Sequence, residues 1–212
     1  MTPPPANRPP KPTTTTRPTS PPTTRPPKPT TTTRPPSLPP PADLIVGDSH
    51  TSGNSWARNL GPNCRPAVWD RYGIAVFVDA IGGPQVSGRV EEIVATRPGG
   101  HVVIMLGTND ALMSQPAPTR ADLDGVSGGL IAAGAVSVRW ATIPPLGNDK
   151  TVLQRRLIDE WNLAILQTTN AIDLRGALGP TLDAHEQIGD GVHLSPEGQR
   201  ALAQAASRTS IC

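Results

Sequence analysis

Four short stretches of this 212-residue chain combine residue types that can do chemistry: Gly47-Asp48-Ser49-His50, Gly82-Gly83, Gly107-Thr108-Asn109-Asp110 and Asp190-Gly191-Val192-His193. A serine hydroxyl becomes a useful nucleophile only beside a base. His193 is a candidate base, and Asp190 precedes it by three residues on the same turn. An aspartate so placed can reach the imidazole nitrogen that faces away from the serine, fix the tautomer and stabilise the imidazolium. Acyl transfer also needs donors for an oxyanion. The Ser49 N–H, the Gly83 N–H and the Asn109 side-chain amide are the candidates, and glycine at 83 lets backbone approach closely. Gly82 stands next to Gly83, and the residues alone do not choose between them.

A second chemistry competes for the first stretch. Asp48 and His50 form an Asp-x-His, the opening of a metallophosphoesterase pattern, and Asn109-Asp110 is faintly similar to its later block. A two-metal centre needs several converging imidazoles and carboxylates. The chain has four histidines. His101 starts an apolar run at the opposite strand end, His185 lies in a polar stretch, and no histidine follows Asp110. His50 and His193 are too few, so the serine reading is preferred, and it requires no metal or cofactor. Asp48 is then a turn-capping residue, Asp110 orients the turn of Asn109, and His50 is a site-rim residue. Trp140 and Trp161 are expected in the core, and Asn162 is expected to bond a neighbouring loop.

The elements that must position these residues are legible as an alternation. Apolar, β-branched runs at 44–46, 74–80, 101–107, 135–143 and 170–174 read as strands of a parallel sheet buried on both faces. Residues 85–96, 120–133 and 150–168 carry apolar side chains at helical spacing. A last helix opens at Ser195, a good N-cap, with Pro196 and Glu197 in its first turn. Alternation of this kind predicts a three-layer α/β/α sandwich. Ligand sites in such sheets form at the carboxyl ends of the strands, where Ser49, Gly83 and Asn109 fall.

In their order and spacing, the Gly-Asp-Ser at 47–49, the glycine at 83, the Gly-Thr-Asn-Asp at 107–110 and the Asp-Gly-Val-His at 190–193 resemble the four blocks of the SGNH hydrolase superfamily, the GDSL-type esterases and lipases. The resemblance spans residues 43–207. It implies a flavodoxin-like fold with a five-stranded parallel sheet, Ser49 as nucleophile, Gly83 and Asn109 with the Ser49 N–H as oxyanion donors, and Asp190 and His193 completing a triad. His50 departs from the aliphatic residue common at its position, although related envelope-acylation domains also read Gly-Asp-Ser-His. The activity implied is hydrolysis of an acyl ester through an acyl-enzyme. A small ester, such as an acetyl group on a glycan or envelope component, is the expected substrate, because few aromatics and no long apolar segment argue against a greasy lid. Lipase, thioesterase and acyltransferase activity stay open, as does a non-catalytic binding module.

Composition divides the chain. Residues 1–41 hold 17 of the 27 prolines, 12 threonines, six basic residues and no acidic one. The segment "RPPKPTTTTRP" occurs at 8–18 and again at 25–35. So little apolar side chain cannot offset the entropy of ordering, and a polyproline-like spacer could extend to roughly 130 Å. We read residues 1–41 as a linker or stalk and 42–212 as the catalytic domain. The remainder holds 13 Lys and Arg against 17 Asp and Glu, a formal charge of −4. The basic charges of the first segment have no interleaved aromatics, so nucleic-acid binding is not expected. No 18-residue apolar run and no secretory h-region occur, so no membrane span is expected. Cys64 and Cys212 lack metal-type spacing and read as a disulfide that ties down the C-terminus, with two unrelated thiols as the alternative. The stalk and the disulfide point to an extracellular or envelope-associated protein acting near an acylated polymer, with an unseen export route, a processed start or a viral origin as the alternatives where no signal peptide is read; a monomer is expected.

Overall fold

The computed structural model describes residues 39–51, 56–62, 64, 66–70, 76–79, 83–86, 99–183 and 189–212. All of them belong to the unit Ser37–Cys212. The repeat and most of the Pro/Thr segment lie outside the described residues, as do His185 and residues 87–96 of the helix expected at 85–96, whose first two residues instead end a strand.

The described elements are β1 (Leu44–Gly47), β2 (Ala67–Asp70), β3 (Val76–Asp79), β4 (Gly83–Val86), β5 (His101–Met105), α1 (Thr108–Leu112), α2 (Arg120–Ala132), β6 (Ser137–Trp140), α3 (Val152–Leu166) and α4 (Pro196–Ala206). The main sheet has the order β2-β1-β5-β6 and all its pairs are parallel. Leu44 lies opposite both Ala67 and Val102, and His101 opposite Ser137. Parallel register of this kind brings Gly47, Asp70, Met105 and Trp140 to one edge, the carboxyl ends of the strands.

Two sequence expectations change here. The described part of the run 74–80 is not in the parallel sheet. Its residues 76–79 pair antiparallel with β4, and β2 takes the place beside β1. An apolar β-branched run signals a strand without naming its partner, and β2 is only four residues long behind Pro66. The run 170–174 contributes a single parallel bridge, Ala141 to Ile172, so the described sheet has four strands and a bridge where five strands were expected. The 3-10 turn Arg175–Ala177 ends that run.

The helices start where their capping residues predict. Thr119 with Asp122, and Thr151 with Gln154, form reciprocal capping boxes. The Ser195 hydroxyl accepts the Gly198 N–H, with Pro196 at the first helical position. Helix α2 packs on β4, β6 and α3, whereas α4 packs on the single turns Trp56–Asn59 and Arg175–Ala177. Between them every residue of β1 and all but the first of β5 is buried. Trp140 and Trp161 are core residues, as expected. Burying a side chain such as Ile45 or Ile104 completely stabilises by about 1.5–3 kcal/mol.

The two ends of the unit meet at the edge opposite the carboxyl ends of the strands. The Ala42 N–H donates to the Ile211 carbonyl, and Cys212 is joined to Cys64 by a disulfide. Arg139, buried on β6, donates to the Pro40 carbonyl and to the Ser210 hydroxyl. Burial holds its guanidinium below the usual range.

Candidate active site

Ser49 follows the last residue of β1 by two positions, on a turn built by its neighbours. The Asp48 carboxylate accepts the His50 N–H at 3.0 Å, while the Asp48 carbonyl accepts the Thr51 N–H at 3.0 Å and the Thr51 hydroxyl at 2.9 Å. A Cβ on Gly47 would lie 1.6 Å from the Thr51 hydroxyl oxygen, so only glycine lets the chain fold back so tightly. Ser49 itself is partly exposed, whereas Asp48, His50 and Thr51 are buried.

Asn109 enters from β5, the neighbour of β1, in the first turn of α1. The next residue, Asp110, is buried and lies close enough to Asp48 to repel its charge. Burial first, and Asp110 as the second raising influence, lift Asp48 from 3.8 to about 7 against its hydrogen bond from His50. The Thr108 hydroxyl lowers it somewhat from nearby, without meeting full hydrogen-bond geometry.

Asp190 and His193 lie on the turn before α4. The Asp190 Oδ2 meets His193 Nδ1 at 2.6 Å, and its Oδ1 accepts the N–H groups of Val192 and His193 at 2.9 Å. Partial burial raises the Asp190 pKa, but the bonds from His193 and Val192 outweigh it and hold Asp190 at about 2. This turn is tied to the loop after β6, since the Gly147 N–H donates to the Gly191 carbonyl at 2.8 Å. Asn162 of α3 braces the same loop by accepting the Ile143 N–H and donating to the Ile143 carbonyl.

The ring of His193 lies 6.4 Å from that of His50, centroid to centroid. The residue next to Ser49 and the candidate base therefore share one neighbourhood, although they are 143 positions apart in the chain. Gly83 is different. It opens β4 opposite Asp79, and its described pairing lies within that hairpin; Gly82 is outside the described residues. His101 sits at the far edge, bonded to Ser137. Among the described residues no three His, Cys, Asp or Glu side chains are placed to share a metal ion.

His50 departs from its expected rim position. It is 5% exposed. Burial, followed by the nearness of His193, lowers its pKa from 6.5 to about 4. Nothing in its local sequence signals this, and His193, whose ring lies near it, is 143 positions away in the chain.

A three-layer α/β fold with its polar residues gathered past β1 and β5 and on a final Asp-x-x-His turn defines an acylhydrolase class. Residues 45–201 match the GDSL-like Lipase/Acylhydrolase family, and the chain belongs to that family, within the SGNH hydrolase superfamily of carboxylic ester hydrolases. No curated protein sequence matches it. Several solved structures share the fold. A carbohydrate acetylesterase from Sinorhizobium meliloti is 18% identical, with 78% of this chain and 95% of that one covered and a TM-score of 0.56. A carbohydrate esterase family 3 protein from Talaromyces cellulolyticus is 21% identical, with 78% and 93% covered and a TM-score of 0.52. A catalytic mutant of an acetylxylan esterase from Geobacillus stearothermophilus is 21% identical, with 79% and 92% covered and a TM-score of 0.53.

Proposed function

We propose that the chain is a serine esterase that removes a short acyl group, in the first place an acetyl group, from a glycan or cell-envelope component. The observation that carries the reading is the 2.6 Å Asp190–His193 bond, made on a turn whose imidazole lies beside the Ser49 turn. With Nδ1 engaged by Asp190, Nε2 is the nitrogen left for the serine proton. His193 takes that proton as Oγ attacks the ester carbonyl, and the Ser49 N–H, the Asn109 amide and the Gly83 N–H receive the oxyanion. The imidazolium then protonates the leaving alcohol, and water releases the acyl group by the reverse path.

The acetyl-glycan part rests on likeness to structures of carbohydrate acetylesterases and on the low aromatic content, 3% of residues, which suits a small polar substrate. An oxidising, extracellular or envelope setting is supported by the Cys64–Cys212 disulfide, and a Pro/Thr stalk would hold such an enzyme near its polymer. No described helix is long and apolar enough to cross a membrane.

The test is p-nitrophenyl acetate hydrolysis with and without a serine-directed organophosphonate, beside a chelator control. Ser49→Ala and His193→Ala should abolish turnover, and Asn109→Ala should cost on the order of 10²–10³ in rate. An active Ser49→Ala enzyme would end the account. Acetylated glycans compared with short-chain and long-chain esters then identify the substrate. Labelling without hydrolysis of any ester would favour transfer to another alcohol, and absence of both would favour a binding module.

A further inference from the structure

A pocket of about 330 Å³ lies between α3 and the loops that follow β6 and the 170–174 run, and the mechanism above does not use it. Pockets of roughly 300–1,000 Å³ are the size that holds small ligands. Ile143 and Pro145 line it from the loop after β6, and Arg175 from the turn after the Ile172 bridge. All three therefore stand past the carboxyl ends of their strands, as Ser49 does. In the main sheet β6 is two places from β1, and Ile172 is three. Neighbouring strands are about 4.8 Å apart, so the pocket is on the order of 10–15 Å along the edge from the Ser49 turn. The loop that supplies Pro145 runs on to Gly147, whose N–H donates to the Gly191 carbonyl at 2.8 Å. One loop thus borders both the pocket and the turn that carries His193.

The lining restricts the ligand. Ile143 and Ile158, both buried, and Pro145 and Pro180 give the pocket aliphatic walls. Asp159 and Arg175 are exposed and supply its polar groups. Asp173 accepts from Arg175 Nε at 2.9 Å and from one terminal nitrogen at 2.7 Å, which leaves the other terminal nitrogen for a ligand oxygen. Asp159 is close enough to attract the same guanidinium. Two carboxylates around one guanidinium disfavour an anion, and aliphatic walls disfavour a hydrated cation. A neutral ring with a C–H face and hydroxyls at its edge meets all of these groups, since a hydroxyl donates to a carboxylate and accepts from a guanidinium. A pyranose sugar is such a ring.

We propose that this pocket is a glycan subsite, holding one sugar unit of the same chain whose ester group is presented to Ser49. The inference rests on the reading of the protein as a serine esterase with a glycan substrate. The separation of pocket and Ser49 turn is the length of a short oligosaccharide. A second point of attachment makes presentation of the ester an intramolecular event, and binding energy from the non-reacting unit is spent on orienting the reacting one. A single acetylated sugar reaches only one of the two places, so the enzyme favours oligomers over monomers.

Gly176 also lines the pocket, and a Cβ there would meet no atom within 4 Å. Gly176→Leu therefore fills the pocket without crowding the backbone, and Asp159→Ala removes an exposed hydroxyl partner. The probes are O-acetylated xylo-, cello- and chito-oligosaccharides, from single sugars to pentamers, with p-nitrophenyl acetate beside them. For the wild type, kcat/KM per acetyl group should rise on the order of tenfold from monomer to tetramer in at least one series. Both variants should flatten that rise by raising KM for the longer substrates, with p-nitrophenyl acetate and the single sugars hydrolysed within about twofold of the wild-type rate. Thermal melts check that both are folded. No dependence on chain length in any series overturns the proposal, as does a rise that survives in a folded variant of either kind. Equal loss on p-nitrophenyl acetate and on oligomers in a folded variant overturns it too. A wild type that cleaves p-nitrophenyl acetate but no acetylated sugar removes the subsite and leaves the serine esterase standing. A wild type that neither cleaves p-nitrophenyl acetate nor is labelled by the organophosphonate removes the esterase reading itself.

Discussion

At the scale of the residue, two titrating groups flank Ser49 with opposite effects on stability. Asp48 is raised from 3.8 to about 7, mainly by burial. Between those values the folded protein keeps a proton that the unfolded chain has lost, so stability falls as pH rises, by up to about 4 kcal/mol. His50 is lowered from 6.5 to about 4, again mainly by burial. Between those values the unfolded chain holds a proton that the folded protein refuses, so stability falls as pH drops, by up to about 3 kcal/mol. The two slopes oppose each other where the windows overlap. Asp48→Asn, which keeps an acceptor for the His50 N–H, should expose the His50 slope and make the protein acid-sensitive. His50→Phe should leave the opposite slope, with stability declining toward neutral pH. Urea midpoints at several pH values between 4 and 7 for the three proteins check this; parallel curves would contradict it. The Asp190–His193 pair was legible in the sequence because three residues on one turn make a local contact. The burial of His50 was not, since it depends on what packs over the turn.

At the scale of the element, the Asp-x-x-His turn depends on a glycine. Gly191 has φ +63°, and a Cβ there would lie 1.8 Å from an Asp149 carboxylate oxygen. Asp149 belongs to the loop after β6, whose Gly147 bonds Gly191 and whose Asn148 N–H donates to Asp183 at 2.8 Å. The loop and the turn are thus one packed unit beneath His193. Gly191→Ala should cost roughly 1–2 kcal/mol for the left-handed backbone alone, with more for displacing Asp149. Its activity on p-nitrophenyl acetate should fall further than its melting temperature explains, because Asp190 and His193 are both on the strained turn. Adding Asp149→Ala restores the space but not the backbone preference, so recovery should be partial. Full activity in the single variant would show that the turn is not the positioning device described here. The Ser195 cap of α4 was readable because capping is local chemistry. Strand partnership was not: the run 74–80 and the short β2 differ in where they pair, and pairing is decided by packing across the whole sheet.

At the scale of the molecule, the edge that carries the proposed site and the closing edge lie at opposite ends of the strands. The carboxyl ends carry Ser49 and Asn109, and the amino ends carry the contacts that close the domain. The Cys64–Cys212 disulfide spans 148 residues. A cross-link of that length removes enough freedom from the unfolded chain to stabilise by up to about 5 kcal/mol, less where the unfolded state keeps structure. The Ala42–Ile211 bond and the two bonds of Arg139 hold the same region without the cross-link. The folded form should therefore survive its loss, with the difference felt in the unfolded state. Cys64→Ser/Cys212→Ser should lower the denaturation midpoint strongly and leave the esterase rate at room temperature within about twofold, since the opposite edge is untouched. Thiol labelling of the wild type should find no free cysteine until a reductant is added, and reduction should reproduce the stability of the double variant. Equal stability with and without the bond would rule out the cross-link as a staple. Loss of activity in a variant that is still folded would mean that the two edges are coupled through the sheet.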